Sequence, residues 1–544
     1  MSEMEIMGLI ERVREFRRTI RRAAEMIQGS TLSVGEYSPD VHGSLITYTG
    51  VPGYQEIDRY WVNAPFAFVS INHDPQANEN LYYVVEPELN EFEAELLDRL
   101  FSDLRESLIY RREMGGKTAE GVLRDELREL LAVYGVEVGE ATFYRLFYYL
   151  FRAFRGFGRL DPLMHDPHIE DISCDGYDLP LFVYHDEYND IESNVVYAEG
   201  ELDSLVVRLA QQSGQHVSVG EPVVEATLPD GSRAEHALGE EVTPRGSAFT
   251  IRKYADDPFT PVDLVNNGTF SLDQMAYLWL AIENNKSLIF AGGTASGKTT
   301  SMNAISMFIP PRSKVLTIED TRELTLYHDN WLSSVTRDRL DDGADITMYD
   351  LLRSALRHRP EYIAVGEVRG QEAMTLFQAM NTGHTTYSTM HADSVQTVIN
   401  RLENEPINVP RAMIQSLDIL SIQTLTYVDE ERVRRNRTLA EINGIDQRTG
   451  DLDYSTAFSW DAATDTVHNR DSNVLVEIQE NHGWSRSELL SELRDRKLVL
   501  QYLRENDVTD YRRFTAMVNE YYAAPQRVVE KVERNVEGRV SEFD

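Results

Sequence analysis

The chain has 544 residues, of which 42% are hydrophobic and 10% aromatic, so it is long enough for more than one domain with sizeable cores. Its 53 basic and 90 acidic residues give a formal net charge of -37, which argues against nonspecific binding to nucleic acid. The one cysteine, Cys174, excludes an intramolecular disulfide and a four-cysteine zinc site, and we expect it to be a buried structural thiol.

The acidity is spread along the whole chain and lysine is scarce, a pattern that resembles proteins from salt-loving organisms. In such organisms, salt screens the repulsion between carboxylates that would otherwise destabilise the fold. An ordinary acidic cytosolic protein is the alternative. No apolar run reaches the ~18 residues that span a bilayer, and the N-terminus lacks the apolar core of a signal peptide. We therefore expect a cytoplasmic protein without a transmembrane segment of its own.

The N-terminal part of the chain is predicted to contain a helix and an α+β domain. Residues 1–30 place apolar side chains at helical spacing among arginines, which predicts a basic amphipathic helix that contacts anionic lipid, an acidic partner or its own domain. Residues 31–255 form the predicted α+β domain, in which the turn-rich residues 31–87 predict β-hairpins and loops and residues 89–154 have helical periodicity. Its later part is predicted to contain a helix around Asp203–Ser213 and short strands, which include Leu181–Tyr184 and Ala248–Arg252.

Residues 256–262 are polar and contain prolines, which predicts a linker, and residues 263–544 form a second predicted domain with a charged, helical C-terminal region. In this domain, short apolar runs alternate with helical runs, which implies a mainly parallel sheet with helices on both faces. The predicted fold class is therefore α/β. The predicted strands are Leu288–Ala291, Val315–Ile318, Tyr362–Val365, Thr385–Thr389 and Ser421–Val428, and the helices between them include Thr347–Arg357 and Glu372–Met380.

The first of these strands leads into the pattern G-x-x-x-x-G-K-[ST], which is completed by Gly292, Gly297, Lys298 and Thr299 and is followed by a helical run. This strand–loop–helix context is typical of a phosphate-binding loop, in which backbone N–H groups and a helix N-terminus surround the phosphates of ATP or GTP. We expect Lys298 to reach the β- and γ-phosphates and the Thr299 hydroxyl to hold Mg²⁺. The predicted nucleotide-binding residues are Gly292, Gly293, Thr294, Ala295, Ser296, Gly297, Lys298, Thr299 and Thr300.

Two later strands end in acidic residues, Glu319 with Asp320 and Glu367. Because ligands of open parallel sheets lie at the carboxyl ends of the strands, both glutamates are predicted to lie beside the nucleotide. A carboxylate there can orient the attacking water or hold Mg²⁺ through water. Glu367 occupies the position where an Asp usually follows this strand. We therefore assign Glu367 to water activation and expect Glu319 and Glu367 to share the water-mediated contact with Mg²⁺.

A further strand region carries His384 and His391. A histidine near the γ-phosphate can sense hydrolysis or position neighbouring acids, but each of the two by itself is more often structural than functional. A metal site made of these histidines is a poor alternative, because no cysteine and no tight carboxylate cluster accompanies them.

The order of the phosphate loop, the Glu319-Asp320 pair, Gly366–Arg369 and Gly383–His391 resembles that of the ATPases of type II and type IV secretion, type IV pili and archaeal flagella. The similarity covers roughly residues 160–530. The bacterial members often carry a four-cysteine zinc module, which this sequence cannot build. Four runs resemble the archaeal branch, and most of all the archaellum motor ATPases: Ser306–Pro311, Thr347–Asp350, Arg359–Tyr362 and Gly383–Thr389.

This resemblance implies a RecA-like phosphate-loop motor domain that assembles into a hexameric ring, with nucleotide between it and the preceding domain. The segments that end in Arg233 and Arg252 match those that supply arginines to the phosphates, so both residues are carried over as arginine fingers. The implied catalytic set is therefore Glu367, Glu319, His391, Arg233 and Arg252. His391 and Glu319 would organise the metal ion and the γ-phosphate.

The expected function is that of an ATP-hydrolysing, Mg²⁺-dependent archaellum motor at the inner face of the cell membrane. It would drive filament assembly and rotation through a polytopic membrane platform protein, together with accessory ring proteins. The nearest alternative is the ATPase of an archaeal adhesive pilus or of a type II/IV secretion system. A nucleic-acid translocase and a scaffold that binds ATP without hydrolysing it are alternatives from other classes.

Overall fold

The computed structural model describes residues 37, 39, 43–110, 118–254, 257–337, 345–429 and 431–540. The chain forms two compact units, Met1–Tyr254 and Ala255–Asp544. The basic helix that we predict for residues 1–30 lies outside the described residues. Among the helices that are described, none is both long and apolar enough to cross a membrane.

The first unit is built on one mixed sheet. Its strands lie in the order β1-β2-β3-β6-β5-β4-β9-β8-β7, and every neighbouring pair is antiparallel except β3 and β6. The strands are β1 (Gln55–Asn63), β2 (Ala67–Asp74), β3 (Glu79–Val85), β4 (Ile169–Cys174), β5 (Pro180–His185), β6 (Asn189–Val196), β7 (Val223–Thr227), β8 (Arg233–Ala237) and β9 (Ala248–Arg252). The sequence predicts β5 and β9 by residue range, and the antiparallel strands β1, β2 and β3 lie in the stretch that it predicts to form β-hairpins.

Helices cover this sheet through two apolar cores, one of which contains Cys174. Burial raises the pKa of the Cys174 thiol to about 11, as expected of a structural thiol. Thr118 caps one helix through its side chain, and Gly135 at φ 66° ends the same helix in the left-handed conformation. The helices are α1 (Glu91–Tyr110), α2 (Ala119–Tyr134), α3 (Glu140–Phe154), α4 (Asp161–His165) and α5 (Glu199–Gln212).

His236 on β8 makes the stability of the first unit sensitive to acid. Its side chain is fully buried, and neither ring nitrogen has a hydrogen-bond partner among the described residues. Burial lowers its pKa from 6.5 to about 4. The unfolded chain therefore takes up this proton at a higher pH than the folded chain, and stability is lost as the pH falls from about 6.5 to 4. The gap corresponds to about 3 kcal/mol.

We expect the substitution His236→Leu to flatten this pH dependence, because the variant has no imidazole to protonate on unfolding. The measurement is the free energy of unfolding by denaturant at pH 7 and pH 4.5, at constant ionic strength. His216→Leu, at an exposed position of the same unit, is the control. Equal losses of stability in the wild type and in His236→Leu would contradict the prediction.

The second unit also contains a nine-stranded sheet, which has a parallel and an antiparallel part. Strands β10 to β15 are parallel in the order β12-β11-β13-β14-β10-β15, and β16, β17 and β18 extend the sheet in antiparallel fashion. The strands are β10 (Leu288–Gly292), β11 (Val315–Glu319), β12 (Trp331–Val335), β13 (Tyr362–Val365), β14 (Thr385–His391), β15 (Ile419–Val428), β16 (Glu431–Ile445), β17 (Leu452–Asp461) and β18 (Thr466–Asn469).

The central parallel strands β10, β11, β13 and β14 are buried at almost every position because both faces are covered. On β10, Leu288 and Phe290 belong to one core, whereas Ile289 and Ala291 belong to the other. The alternation has the period of two that a strand imposes. This confirms the predicted α/β class, with a mainly parallel sheet and helices on both faces. Four strands, β12 and β16 to β18, are absent from the sequence prediction.

The helices of the second unit begin at polar caps. Thr260 with Asp263, Ser271 with Gln274, and Thr347 with Asp350 each form a reciprocal capping box. The helices are α6 (Pro261–Asn266), α7 (Leu272–Glu283), α8 (Lys298–Ser306), α9 (Met348–Ala355), α10 (Glu372–Asn381), α11 (Val395–Glu403), α12 (Arg411–Ile414), α13 (Asn473–His482), α14 (Arg486–Glu505), α15 (Tyr511–Ala523) and α16 (Pro525–Val540). The first of them starts inside the segment 256–262 that we predict to be a linker.

The C-terminal helices are part of the second unit's core. Trp279 on α7 is fully buried, with its ring 5.1 Å from that of Phe308 and 4.9 Å from that of Tyr521 on α15. The guanidinium of Arg496 on α14 lies 5.8 Å from the Trp279 ring and pairs with Glu283 at 2.5 Å. The charged C-terminal region thus covers the helix that precedes the phosphate loop.

Candidate functional site

The predicted phosphate loop connects β10 to α8, as its sequence context requires. Residues Gly293 to Ala295 are exposed, whereas Lys298 in the first turn of α8 is only 8% exposed. The Lys298 ammonium donates to the carbonyl of Gly293 at 2.7 Å, and the Ser296 hydroxyl donates to the same oxygen at 2.9 Å. Burial lowers the pKa of Lys298. The loop therefore presents backbone, a buried ammonium and a helix N-terminus at one place, which suits a phosphate.

Two glycines of the loop are required by geometry. A Cβ at Gly292 would lie 2.4 Å from the Ser296 hydroxyl and 2.6 Å from the carbonyl oxygen of Gln423 on the neighbouring strand. Gly297 has φ 84°, a left-handed conformation at the residue before the helix. A larger side chain at Gly292 would push the loop away from the sheet, and one at Gly297 would strain the backbone. Thr299 and Thr300 follow in the first turn of α8, where both are partly exposed.

Sheet order brings a glutamate and a histidine to the same edge as the loop. Gly292 is the direct register partner of His391 at the end of β14, and Glu367 follows β13 on the other side of β14. His391 Nε2 lies 3.4 Å from Glu367 Oε1, and Arg369 contacts Glu367 Oε2 at 2.5 Å. Burial and the nearby Lys298 lower the pKa of His391. A carboxylate, a neutral imidazole and the loop lysine therefore converge at one edge.

Glu319 lies at the end of β11 and is almost fully buried. Its Oε1 accepts hydrogen bonds from the backbone N–H groups of Glu323 at 2.9 Å and Leu324 at 2.8 Å. Its Oε2 has no partner in the part of the chain that the structure describes. Burial raises the pKa of this carboxyl to about 7 despite the two hydrogen bonds. A positive charge nearby would favour its ionised form, so a hydrated Mg²⁺ fits this orphaned oxygen.

His384 lies away from the phosphate-loop edge, although it belongs to the same strand region of the sequence as His391. It precedes β14 and contacts the carbonyl of Ala379, whereas His391 ends the same strand. A strand rises about 3.3 Å per residue, so the two histidines lie about 20 Å apart at opposite edges of the sheet. Only His391 therefore accompanies Glu367.

The two predicted arginine fingers lie in the first unit, as direct cross-strand neighbours on β8 and β9. Arg252 pairs with Asp171 at 3.2 Å, and Arg233 pairs with Glu225. Both are partly exposed, so each ion pair is of the weak, solvent-screened kind. The structure thus brings the two arginines together, and their contact with the nucleotide stays a prediction.

Sequence reasoning missed several charged residues around the loop. The charge of Glu323 acts on Lys298 together with that of Glu367. Arg434 on β16 donates to the carbonyl of Ala295 at 3.0 Å, and Arg401 on α11 donates to the carbonyl of His391. A cleft of about 430 Å³ beside Glu367 is also lined by Arg369 and Arg401. No local motif marks Arg401 and Arg434, because they reach the loop edge from distant parts of the chain.

Comparison with known proteins connects this geometry to a family. Residues 194–521 match the family described as type II/IV secretion system protein, and residues 14–88 match the PilB3-like N-terminal family. The chain is 37% identical over 384 residues to the uncharacterized protein MJ0900 of Methanocaldococcus jannaschii, which covers 70% of each chain. It is 43% identical over 245 residues to the uncharacterized protein MJ1287 of the same organism, which covers 45% of this chain and 91% of MJ1287.

Among solved structures, the VirB11 ATPase of the Brucella suis type IV secretion system, in complex with sulphate, is 25% identical and covers 52% of this chain and 91% of VirB11. The TM-score is 0.27, which supports no inference by itself. The family match, by contrast, spans more than half of the chain and includes the whole phosphate-loop edge. The chain therefore belongs to the type II/IV secretion system protein family.

Proposed function

We propose that this protein is an ATP-hydrolysing motor of a type IV filament or secretion system. The observation that supports it best is the edge at which Lys298, Glu367 and His391 converge beside an exposed phosphate loop. A loop that only held a nucleotide would not need a carboxylate and an imidazole at the phosphate end. Together they can bind the phosphates and take a proton from water.

In this proposal the loop residues Gly292 to Thr300 bind the phosphates, and Lys298 reaches the β- and γ-phosphates. Glu367 orients and deprotonates the attacking water, and the neighbouring His391 organises the γ-phosphate. Thr299, with Glu319 and Glu367 through water, would hold Mg²⁺, which would neutralise part of the charge on the phosphates. The raised pKa of Glu319 would fall when the cation is present, because the cation favours the ionised carboxylate.

Arg233 and Arg252 complete the proposed catalytic set by contacting the phosphates of the nucleotide. An arginine that meets the charge of the transition state is worth about 10³-fold or more in rate. We therefore expect Arg252→Ala to lower kcat by about 10³-fold and to change the nucleotide dissociation constant much less. The measurement is phosphate release together with nucleotide titration.

The ion pairs supply matched controls for this test. Asp171→Asn removes the partner of Arg252, and Glu225→Gln removes the partner of Arg233. If the arginines only stabilise the sheet through these ion pairs, each partner substitution should reproduce the effect of the arginine substitution. A normal kcat for Arg252→Ala would remove it from the catalytic set.

The assembly that the motor drives has two candidates. The sequence resemblance supports the archaellum, in which a homohexamer at the inner face of the membrane would act on a polytopic platform protein and accessory ring proteins. The match of residues 14–88 to the PilB3-like N-terminal family favours the second candidate, an archaeal adhesive pilus. The spread negative charge is consistent with a halophilic source and weighs against a nucleic-acid translocase.

A deletion strain separates the two candidates. Loss of swimming with normal surface adhesion assigns the protein to the archaellum, and loss of adhesion with normal swimming assigns it to the pilus. Complementation with the wild-type gene should restore the lost trait, whereas a gene carrying Glu367→Gln should not. Restoration by that variant would show that hydrolysis is not what the assembly needs.

A further inference from the structure

Gln423 lies directly beneath the phosphate loop. Strand β15 runs parallel to β10 with Gln423 opposite Gly292, so this residue marks the point where the sheet meets the loop. Its carbonyl oxygen faces Gly292 at the close approach described above. Its side-chain Oε1 lies 3.7 Å from the position that a Cβ at Gly297 would take. The amide is therefore placed between the two ends of the loop.

The amide of Gln423 is buried without a partner. The residue is 2% exposed, and neither Oε1 nor Nε2 makes a hydrogen bond to any described residue. Leaving both groups unpaired in the interior is costly, since each has lost its hydrogen bonds to water. Other buried amides nearby are paired: Gln274 donates to Asn436 at 2.8 Å, and Asn436 donates to Ser421 at 2.7 Å. The unpaired amide of Gln423 therefore destabilises the folded protein at a position beside the loop.

The hydrogen bonds inside the loop are of a kind that a bound phosphate would replace. The Lys298 ammonium and the Ser296 hydroxyl both donate to the Gly293 carbonyl. When Lys298 turns to a phosphate, this carbonyl loses one donor and the loop segment around Ser296 can shift. Ser296 flanks Gly292 on the side where Gln423 also approaches. The Gln423 amide then offers the loop an unused donor and an unused acceptor.

The strand next to β15 also contacts the loop. Arg434 on β16 holds the carbonyl of Ala295, and the pairing of β15 with β16 shifts register between Ile422 and Gln423. Such a bulge changes where a side chain points and is frequent beside functional sites. Two neighbouring strands therefore approach the loop, β15 through Gln423 and β16 through Arg434.

We propose that Gln423 is a positioning residue whose amide hydrogen-bonds to the phosphate loop only when nucleotide is bound. The inference rests on the proposed function, because it requires a nucleotide at Lys298. An amide that is unpaired in the free protein and paired in the complex favours the complex, because binding removes the free-energy penalty of the missing hydrogen bonds. Gln423 therefore strengthens nucleotide binding without touching the nucleotide.

The test compares the full-length wild type with Gln423→Met, which keeps the side-chain length and removes the amide. Without nucleotide, we expect the variant to melt at a higher temperature, because a buried unpaired amide has been replaced by an apolar group. With ADP and Mg²⁺ as the probe, we expect its dissociation constant to rise by about 3- to 10-fold, the worth of one or two net hydrogen bonds. A merely structural glutamine would instead give a lower melting temperature.

Gln501→Met, at an exposed position of α14, is the control and should leave both values unchanged. Gln423→Leu gives the same comparison if the methionine variant does not fold. An unchanged dissociation constant in a folded variant overturns the inference while leaving the proposed function intact. Absence of ADP binding by the wild type itself would overturn the proposed function and this inference together.

Discussion

Replacing Lys298 by alanine is expected to weaken nucleotide binding and hydrolysis by about 10²- to 10³-fold, the usual effect of removing a preorganised electrostatic contact. The ammonium is almost fully buried at the start of α8 and is held by the Gly293 carbonyl, so it is already placed at the phosphate-binding end of the loop. Without nucleotide, the variant should remain folded, because it loses a buried charge whose pKa burial has lowered. ADP titration and phosphate release measure the two effects.

Lys531→Ala is the control for this substitution, because Lys531 is an exposed lysine on α16 in the same unit. Its nucleotide affinity should equal that of the wild type. A dissociation constant for Lys298→Ala within about 3-fold of the wild-type value would place the phosphates elsewhere, since one lost charge-assisted contact exceeds that difference. The proposed motor would then lose its nucleotide site.

Replacing Glu367 by glutamine is expected to lower kcat by about 10²- to 10⁴-fold, the usual contribution of a general base. The amide can still contact Arg369, so the loop edge should keep its shape, but it cannot accept a proton from water. Nucleotide affinity should therefore change little. Single-turnover phosphate release measured beside ADP titration separates the chemical step from binding.

Glu480→Gln, at an exposed position of α13, is the matched control and should hydrolyse ATP at the wild-type rate. Adding DNA or RNA to each assay tests the translocase alternative, which requires stimulated hydrolysis. If the wild type binds ATP and releases no phosphate, the scaffold alternative replaces the motor. If Glu367→Gln hydrolyses normally, the general base is another group, and Glu319 is the next candidate at this edge.

The sequence predicted the local parts of the site well, because they depend on local rules. A strand, a glycine-rich turn and a helix that begins at Lys298 follow from residues that are neighbours in the chain. Short runs between helical segments predicted five of the six parallel strands, because a strand covered on both faces is short and mostly buried. The same rule does not apply to β16 to β18, because their exposed and charged positions give no continuous buried run by which to recognise them as strands.

His384 and Gln423 show where local reasoning fails. The sequence places His384 seven residues before His391, close enough for both to seem part of one site. The extended strand between them separates them to opposite edges of the sheet. Gln423 lies more than a hundred residues after Lys298, yet strand pairing puts it opposite the first glycine of the loop.

The sequence by itself therefore determined the α/β class, the phosphate loop and the acidic strand ends, because each is encoded by the periodicity or spacing of consecutive residues. Only the tertiary structure decided which strand ends are neighbours: β14 lies between β10 and β13, so His391 meets Glu367 beside Lys298. It alone also placed Arg434 and Gln423 against the loop. The physical reason is that sheet order is set by packing and hydrogen bonding between distant segments, which no single segment contains.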